Sequence, residues 1–280
     1  MKSGITFIGS GNMALSMLKG IINKNLWDTK EITMCDPIKE RLIQLQHEYN
    51  INIKTDNVKA SRTSQYIILA VKPNILPLVL DEIKSELSED SILVSIAAGV
   101  TMQTIEAIVG KDIKIIRAMP NMPALVSEGM TSLTHNQFVS DDEYHKIYAL
   151  FQSLGRVENI PEHLFDVTTA TASSSPAIAY MFIEAIADGS VLRGLPRKLA
   201  YEMASQAVLG AAKMVLESGK HPSQLIDEVC SPGGTTIEAV YLLEKRGFKG
   251  SIIESTQLCI DKAEKLGKAT KINRLSKSAS

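Results

Sequence analysis

The feature that most restricts the fold of this chain is a glycine-rich turn directly after its first apolar segment. Residues 5–8 form a short apolar run typical of a buried strand, and they lead into Gly9, Gly11 and Ala14 at the spacing G-x-G-x-x-A, where a helical pattern begins. The first glycine permits a tight turn, the second lets a pyrophosphate approach the backbone, and the small third residue lets helix and strand pack closely. The N–H groups that open the helix favour an anion. The pattern predicts a dinucleotide-binding unit, and the alternative is a tight turn without a ligand.

The rest of the first half alternates between strand and helix patterns. Apolar strand candidates lie at residues 5–8, 31–35, 66–71, 91–96 and 113–118, and helical patterns lie at 12–22, 39–47, 75–87 and 103–109. Near-continuous apolar strands are typical of a parallel sheet that helices cover on both faces. A weaker strand at 129–134, a helix at 141–153 and a last strand at 156–159 complete the series. We therefore predict a doubly wound, mainly parallel α/β Rossmann domain.

The pattern changes after Pro161, where strand signals end and helical periods begin. One helix face carries apolar residues at 178, 181, 182, 185 and 186, and a helix rich in small residues follows Pro196. Small side chains let a second helix approach closely, which suits a subunit interface. A length of 280 residues fits two domains. We predict an NAD(P)-binding domain over 1–160 and an all-α domain over 161–280.

Composition excludes several classes of function. The chain has 30 Lys+Arg and 31 Asp+Glu, a balance that argues against nucleic-acid binding. Its three cysteines form no C-x-x-C pair and its five histidines show no metal-ligand spacing, so we expect neither a disulfide framework nor a metal site. The uncharged stretch 167–183 is rich in hydroxyl residues, and no targeting signal is visible, so we expect no membrane association and a cytoplasmic location.

Asp36 closes the second predicted strand, 27 residues after Gly9. An acid at this place hydrogen-bonds the adenine ribose and disfavours a 2′-phosphate, which favours NAD over NADP. Lys39 and Arg41 follow closely and could offset that charge. Asp36 is equally suited to start the next helix. The preference between NADP(H) and NAD(H) therefore stays open.

Two further strand ends belong to the same predicted sheet edge. Residues 70–73 (AVKP) and 97–99 (AAG) follow apolar strands, and ligands of this fold bind outside the carboxyl ends of strands. Lys72 is placed to meet the phosphates or ribose of a coenzyme. The alternative is a solvated lysine at a strand end.

A second candidate anion site lies in the helical half. The run SPGGTT at residues 231–236 precedes a helical pattern at 237–244. Consecutive free N–H groups at a helix N-terminus suit a small carboxylate, and Thr235 or Thr236 offers a hydroxyl to the reacting group. A capped helix start after a Pro-Gly turn is the alternative.

Several of these runs together resemble pyrroline-5-carboxylate reductase. They are LAVKP at 69–73, SIAAGV at 95–100, RAMPNMP at 117–123, GLP at 194–196 and, most specifically, SPGGTTIEAV at 231–240. The resemblance spans nearly the whole chain. It implies hydride transfer from NAD(P)H to the C=N carbon of Δ1-pyrroline-5-carboxylate, which gives L-proline in the last step of proline biosynthesis. It also implies a homodimer with interlocked helical domains, assembly into decamers, and an active site between the nucleotide domain and the dimerised helices.

The resemblance also implies roles for individual residues. The coenzyme positions are Gly9, Ser10, Gly11, Asn12 and Met13 for the pyrophosphate, Asn57 for the adenosine side, and Ala70, Val71, Lys72, Pro73, Ala97, Ala98 and Gly99 for the nicotinamide half. The substrate positions are Ser231, Gly233, Gly234, Thr235, Thr236, Ser174 and Glu162. Thr236 matches the threonine implicated near the ring nitrogen, and it is the predicted catalytic residue.

The chain departs from the family pattern at two places. Ala172-Ser173-Ser174 stands where the family usually has Ser-Gly-Ser or Ser-Gly-Cys, and Asp36 stands where members that prefer NADP usually have a small or neutral residue.

Two other functions compete with the one that the resemblance implies. A 3-hydroxyacid-type dehydrogenase would use a lysine of the helical half, for which Lys198 and Lys213 are available without the expected glycine context. A catalytically silent dinucleotide-binding protein would bind NAD(P)H without turnover.

Overall fold

One eight-stranded sheet organises the first part of the protein. The structure is a computed structural model that describes residues 4–110 and 112–275. The strands are β1 (Ile5–Ile8), β2 (Ile32–Cys35), β3 (Asn52–Lys54), β4 (Tyr66–Leu69), β5 (Ile92–Ser95), β6 (Lys114–Met119), β7 (Gly129–His135) and β8 (Gly155–Asn159). Their order is β3-β2-β1-β4-β5-β6-β7-β8, and every neighbouring pair is parallel except β6 and β7. The direction of winding reverses between β1 and β4, which is where ligands bind in doubly wound sheets.

Helices cover the sheet and form the later part of the chain. Those up to residue 168 are α1 (Asn12–Asn23), α2 (Lys39–Tyr49), α3 (Asn57–Ser61), α4 (Leu76–Ile83), α5 (Met102–Val109), α6 (Asp141–Gln152) and α7 (Phe165–Thr168). Short 3-10 helices lie at Thr29–Glu31, Lys84–Glu86, Met122–Val126 and Glu162–Leu164, and a π-helix lies at Thr169–Ser174. The remaining helices are α8 (Ser175–Val191), α9 (Arg197–Ser218), α10 (Pro222–Val229), α11 (Thr235–Lys245) and α12 (Phe248–Leu275).

The apolar strands are buried on both faces, as their sequence predicts. Phe7 and Ile68 pack with residues of α1 and α6 in one core, whereas Ile8, Ile67 and Leu69 pack with residues of α4 and α5 in the other. All five side chains are at most 1% exposed. Full burial of such a side chain contributes roughly 1.5–3 kcal/mol to folding. The predicted doubly wound, mainly parallel sheet is confirmed.

The sequence patterns missed two short elements on one side of the sheet. β3 has three residues, none of them fully buried, and it pairs only with β2 at the sheet edge. An edge strand of this kind shows no apolar run because only one neighbour and part of one face cover it. α3 has five residues and begins after Asp56, whose side chain accepts the Lys59 N–H. It is too short to produce a helical period.

The described residues form two compact units. The first takes the described residues of Met1–Ser173 and Cys259–Ser280, and the second is Ser174–Leu258. The predicted domain boundary at 160 stays a prediction. Within the second unit α8 packs on α9, and Ala187, Ala200 and Ala204 are buried. Among the described residues, no helix is both long and apolar enough to cross a membrane.

Candidate active site

The carboxyl ends of four strands lie side by side in the first unit. The Gly9 N–H donates to the Cys35 carbonyl at 2.8 Å, and the Ala70 N–H donates to the Ile8 carbonyl at 2.8 Å. The Ile96 N–H donates to the Leu69 carbonyl at 3.4 Å. These bonds bring together the ends of β1, β2, β4 and β5. The coenzyme residues predicted from sequence therefore meet at one edge of the sheet.

The glycine turn has the geometry of an anion site. Gly9 adopts φ +100°, and a Cβ there would lie 2.6 Å from the Ala70 carbonyl oxygen, so only glycine fits. Gly11 faces open space where a ligand can approach, and as the N-cap of α1 it makes no side-chain capping bond. Ala14 is fully buried where the helix meets the strand. The N–H groups that open α1 are thus available to an anion, and the turn fits the pyrophosphate of NAD(P)H.

Asp36 is bonded directly to this turn. Its Oδ2 accepts hydrogen bonds from the Ser10 N–H at 2.9 Å and from the Ser10 hydroxyl at 2.8 Å. Its Oδ1 accepts the Ile38 N–H at 3.0 Å just before α2. Asp36 thus starts the entry to the helix and fixes the turn at the same time. Its carboxylate retains lone pairs and a negative charge beside the glycine turn, a chemistry that can accept a hydroxyl and disfavours a phosphate.

Asn57, which the resemblance assigns to the adenosine side, lies beside the end of β2. Its Nδ2 donates to Glu82 Oε2 at 2.8 Å, and its Oδ1 accepts from the Cys35 thiol at 3.3 Å. Burial, followed by the charge of Asp36, raises the pKa of Cys35 to about 12. The thiol therefore stays protonated at neutral pH and is a hydrogen-bond donor rather than a nucleophile.

The two loops predicted for the nicotinamide half differ in exposure. Lys72 and Pro73 are exposed after β4, whereas Ala97 is buried after β5. The Ala97 N–H donates to the Ser95 hydroxyl at 3.4 Å, and Gly99 has φ +71°. Ala98, which lies between Ala97 and Gly99, is exposed. The loop after β5 is thus held at Ala97 and presents Ala98 outward.

The second unit contains the predicted substrate loop. Gly233 has φ +68°, and the Gly234 N–H donates to the Ser231 carbonyl at 3.0 Å, which closes a tight turn. Gly234 is the N-cap of α11 and makes no side-chain capping bond, so the first N–H groups of α11 are available to an anion. Thr235 is exposed and Thr236 is half-buried at the start of this helix. A helix start of this kind can hold a small carboxylate next to a hydroxyl.

Two other predicted substrate residues lie apart from this loop in the sequence. Ser174 ends the π-helix and belongs to the second unit, whereas Glu162 belongs to the first. Glu162 Oε1 accepts hydrogen bonds from Arg117 Nη1 at 3.0 Å and from the Met102 N–H at 2.7 Å. Glu162 is therefore already engaged within the first unit.

Sequence reasoning did not single out Arg117 and Asn121 as individual residues. The Arg117 side chain is 3% exposed and lies 4.5 Å from the centre of the Phe165 ring. The Asn121 side chain accepts the Met130 N–H and donates to the Ala172 carbonyl, both at 2.9 Å, so it holds the π-helix. An arginine within the apolar run IIRAM was the available signal, because a buried charge requires a partner. Among the described residues, no group of three or more His, Cys, Asp or Glu side chains is arranged to hold a metal ion.

Comparison with known proteins gives matches along the whole chain. Residues 162–266 match the family described as "Pyrroline-5-carboxylate reductase dimerisation", and residues 4–99 match "NADP oxidoreductase coenzyme F420-dependent". Pyrroline-5-carboxylate reductase of Escherichia coli (strain K12) is 45% identical over 269 residues, which cover 96% of this chain and 100% of that protein. The enzyme of the same name from Methanosarcina acetivorans is 37% identical and covers 94% of this chain and 98% of its own.

Solved structures agree with these sequence matches. A pyrroline-5-carboxylate reductase from Coxiella burnetii has a TM-score of 0.88 and 32% identity, and the match covers 95% of this chain and 99% of that one. A pyrroline carboxylate reductase from Plasmodium falciparum, solved with NADP bound, has a TM-score of 0.85 and 32% identity, with coverage of 95% and 98%.

The Rossmann sheet, the glycine turn and these matches define an NAD(P)-dependent oxidoreductase with a helical dimerisation domain. More specifically, the chain belongs to the pyrroline-5-carboxylate reductase family. The family and the enzyme class that the sequence motifs predict are both confirmed.

The fit at Gly9 gives a first prediction. We expect Gly9→Ala to weaken NAD(P)H binding by roughly 10–100-fold. A residue with a Cβ pays about 1–3 kcal/mol to adopt the positive φ of this position, and the new methyl group would also collide with the Ala70 carbonyl. Coenzyme fluorescence titration measures the affinity. Gly110→Ala is the matched control, because Gly110 has φ +101° but open space around it, at the end of α5. Equal coenzyme affinity in the two variants would contradict the assignment of the turn.

Proposed function

We propose that the chain reduces the C=N bond of Δ1-pyrroline-5-carboxylate to give L-proline, the last step of proline biosynthesis, with NAD(P)H as the hydride donor. The observation that carries the proposal is that one chain combines a dinucleotide turn at the strand switch with the SPGGTT loop at the start of α11. The relatives that match along its whole length carry the name of this reaction.

The chemistry explains why the proposal needs no catalytic histidine or lysine. Bound NAD(P)H supplies the hydride, and an imine accepts it without covalent attachment to the enzyme. The chain's part is to hold and orient the substrate. In the proposal, the N–H groups of Gly233, Thr235 and Thr236 bind the carboxylate, and the Gly234 N–H holds the turn through the Ser231 carbonyl. The Thr236 hydroxyl, directly or through a water, orients or protonates the ring nitrogen. Ser231, Thr235 and Ser174 complete the proposed substrate residues, whereas Glu162, which the resemblance also implied, is bonded to Arg117 and Met102 in the first unit.

The proposed coenzyme site follows the order of the strand ends. Residues 9–13 bind the pyrophosphate, and Asp36 and Asn57 lie on the adenosine side. Residues 70–73 and 97–99 line the nicotinamide half. The proposal is supported by the hydrogen bonds that join the ends of β1, β2, β4 and β5.

The chain is assigned to a homo-oligomer because it carries the family's dimerisation domain. We propose a homodimer formed by the second unit and assembly of dimers into decamers. Large apolar side chains of this unit support an interface, since Met181 is 69%, Leu192 85% and Leu258 69% exposed in the single chain. A cytoplasmic location is also proposed, because the sequence has three cysteines and no C-x-x-C pair, which is not the pattern of a disulfide framework.

The role of Thr236 is tested by turnover. We expect Thr236→Ala to lower kcat for pyrroline-5-carboxylate by roughly 100-fold or more, the usual loss when a proton-transfer group is removed, with little change in coenzyme affinity. Thr236→Ser keeps the hydroxyl and should restore most of the rate. Steady-state oxidation of NAD(P)H measures both variants. Absence of turnover by the wild-type chain with either coenzyme would refute the activity, and an unchanged kcat in Thr236→Ala would refute only the role of Thr236.

The charge of Asp36 gives a separate prediction about the coenzyme. Asp36→Asn keeps an acceptor for Ser10 but removes the negative charge beside the proposed ribose site. We expect the ratio of kcat/KM for NADPH over NADH to rise by about tenfold or more, because like charges at close range cost several kcal/mol. The two coenzymes are compared in wild type and variant. A ratio that does not change would leave Asp36 with only its structural bonds to Ser10 and Ile38.

A further inference from the structure

Arg117 is a buried cation in the middle of an apolar strand. Its neighbours Ile116 and Ala118 lie in one core of the sheet, and Ile115 lies in the other, so Arg117 points to the face of Ile115. Its side chain is 3% exposed, and among the described residues Nε has no hydrogen-bond partner. A buried guanidinium requires a counter-charge, and Glu162 Oε1 supplies it at 3.0 Å from Nη1.

Glu162 makes a second bond that reaches the loop after β5. The same Oε1 accepts the Met102 N–H at 2.7 Å, and Met102 is the first residue of α5. A carboxylate at a helix N-terminus is favoured by the helix dipole. Since residues 97–101 lead directly into Met102, this bond ties the end of the loop to Glu162. Ala97 fixes the other end of the same loop through the Ser95 hydroxyl.

A cavity of about 260 Å³ connects these groups. Gly99, Thr101, Arg117 and Glu162 all lie in its wall. The Arg117–Glu162 ion pair and the loop therefore line the same cavity. Loss of the Glu162 carboxylate would remove the hydrogen bond to the Met102 N–H, at the point where the loop ends and α5 begins.

We propose that Glu162 is a positioning residue for the coenzyme: held by Arg117, it fixes residues 97–101 in the conformation that receives the nicotinamide half. The inference rests on the proposed assignment of Ala97–Ala98–Gly99 to that half of NAD(P)H. In this inference Glu162 acts on the coenzyme by holding the loop, and it does not contact the substrate. The pair acts on the end of the coenzyme that carries the hydride, so its effect differs between the whole coenzyme and a fragment that lacks nicotinamide.

The experiment compares NADH with ADP-ribose, which lacks the nicotinamide. In Glu162→Ala we expect the Kd of NADH to rise and kcat to fall, each by about tenfold or more, because small misplacements of a reacting group are costly. The Kd of ADP-ribose should stay within about twofold, since its binding elements lie at β1 and β2. Glu162→Gln keeps an oxygen acceptor for the Met102 N–H, and we expect it to restore part of the NADH affinity. This conservative variant decides the question if Glu162→Ala does not fold.

Glu143→Gln is the matched control. Glu143 Oε1 accepts from Lys114 Nζ of the same strand β6 at 2.6 Å, and its Oε2 accepts the Ser140 N–H at the start of α6 at 2.9 Å. It thus combines a cation of β6 with a helix N-terminus, as Glu162 does, without a bond to the loop after β5. We expect both ligands to bind Glu143→Gln as they bind wild type.

Four results would overturn the inference. Equal weakening of NADH and ADP-ribose would show that Glu162 supports the unit as a whole. Unchanged binding of both ligands with a raised KM for pyrroline-5-carboxylate would make Glu162 a substrate ligand.

Ala98→Leu separates the inference from the assignment on which it rests, because Ala98 is exposed and tolerates a larger side chain. If Ala98→Leu weakens NADH but not ADP-ribose while Glu162→Ala does not, only the inference fails. If Ala98→Leu changes neither, the nicotinamide assignment fails and the inference falls with it.

Discussion

The close approach of Gly9 to the Ala70 carbonyl is the contact on which the proposed coenzyme site depends. It joins the start of the glycine turn to the end of β4 at the switch in strand order, and no side chain fits between them. With the turn placed there, α1 begins with free N–H groups at the sheet edge, and Asp36 bonds to Ser10 from the neighbouring strand. The loops after β4 and β5 lie along the same edge.

Both proposed anion sites of the chain are built from the backbone. The N-termini of α1 and α11 lack side-chain caps, and each follows a glycine-containing turn. A formal net charge of −1 is compatible with this arrangement, since short-range N–H donors bind an anion without a positive field over the whole surface. The charged side chains have other proposed roles. Asp36, bonded to Ser10 beside the turn, would discriminate between the coenzymes, and the pair of Arg117 and Glu162 would hold the loop after β5.

Sequence reasoning predicted those parts of the fold that depend on local patterns. Five apolar strands, the helices between them and the glycine turn follow from burial on both faces and from backbone freedom at Gly9. The strand β3 and the helix α3 were not predicted, because a short edge strand and a five-residue helix show no periodic pattern of apolar residues. The contacts of Glu162 with Met102 and Arg117 span 60 and 45 residues, and no local pattern encodes contacts of that range. The family resemblance predicted Glu162 as a site residue but not its partners.

The most direct measurement of the central claim follows the hydride itself. The chain is incubated with pyrroline-5-carboxylate and NADH or NADPH that carries deuterium at both C4 positions, and the proline formed is analysed by mass spectrometry and NMR. The account predicts L-proline with one deuterium, located on the ring carbon that was double-bonded to nitrogen. Unlabelled proline, a label at another carbon, or no proline with either coenzyme would contradict it.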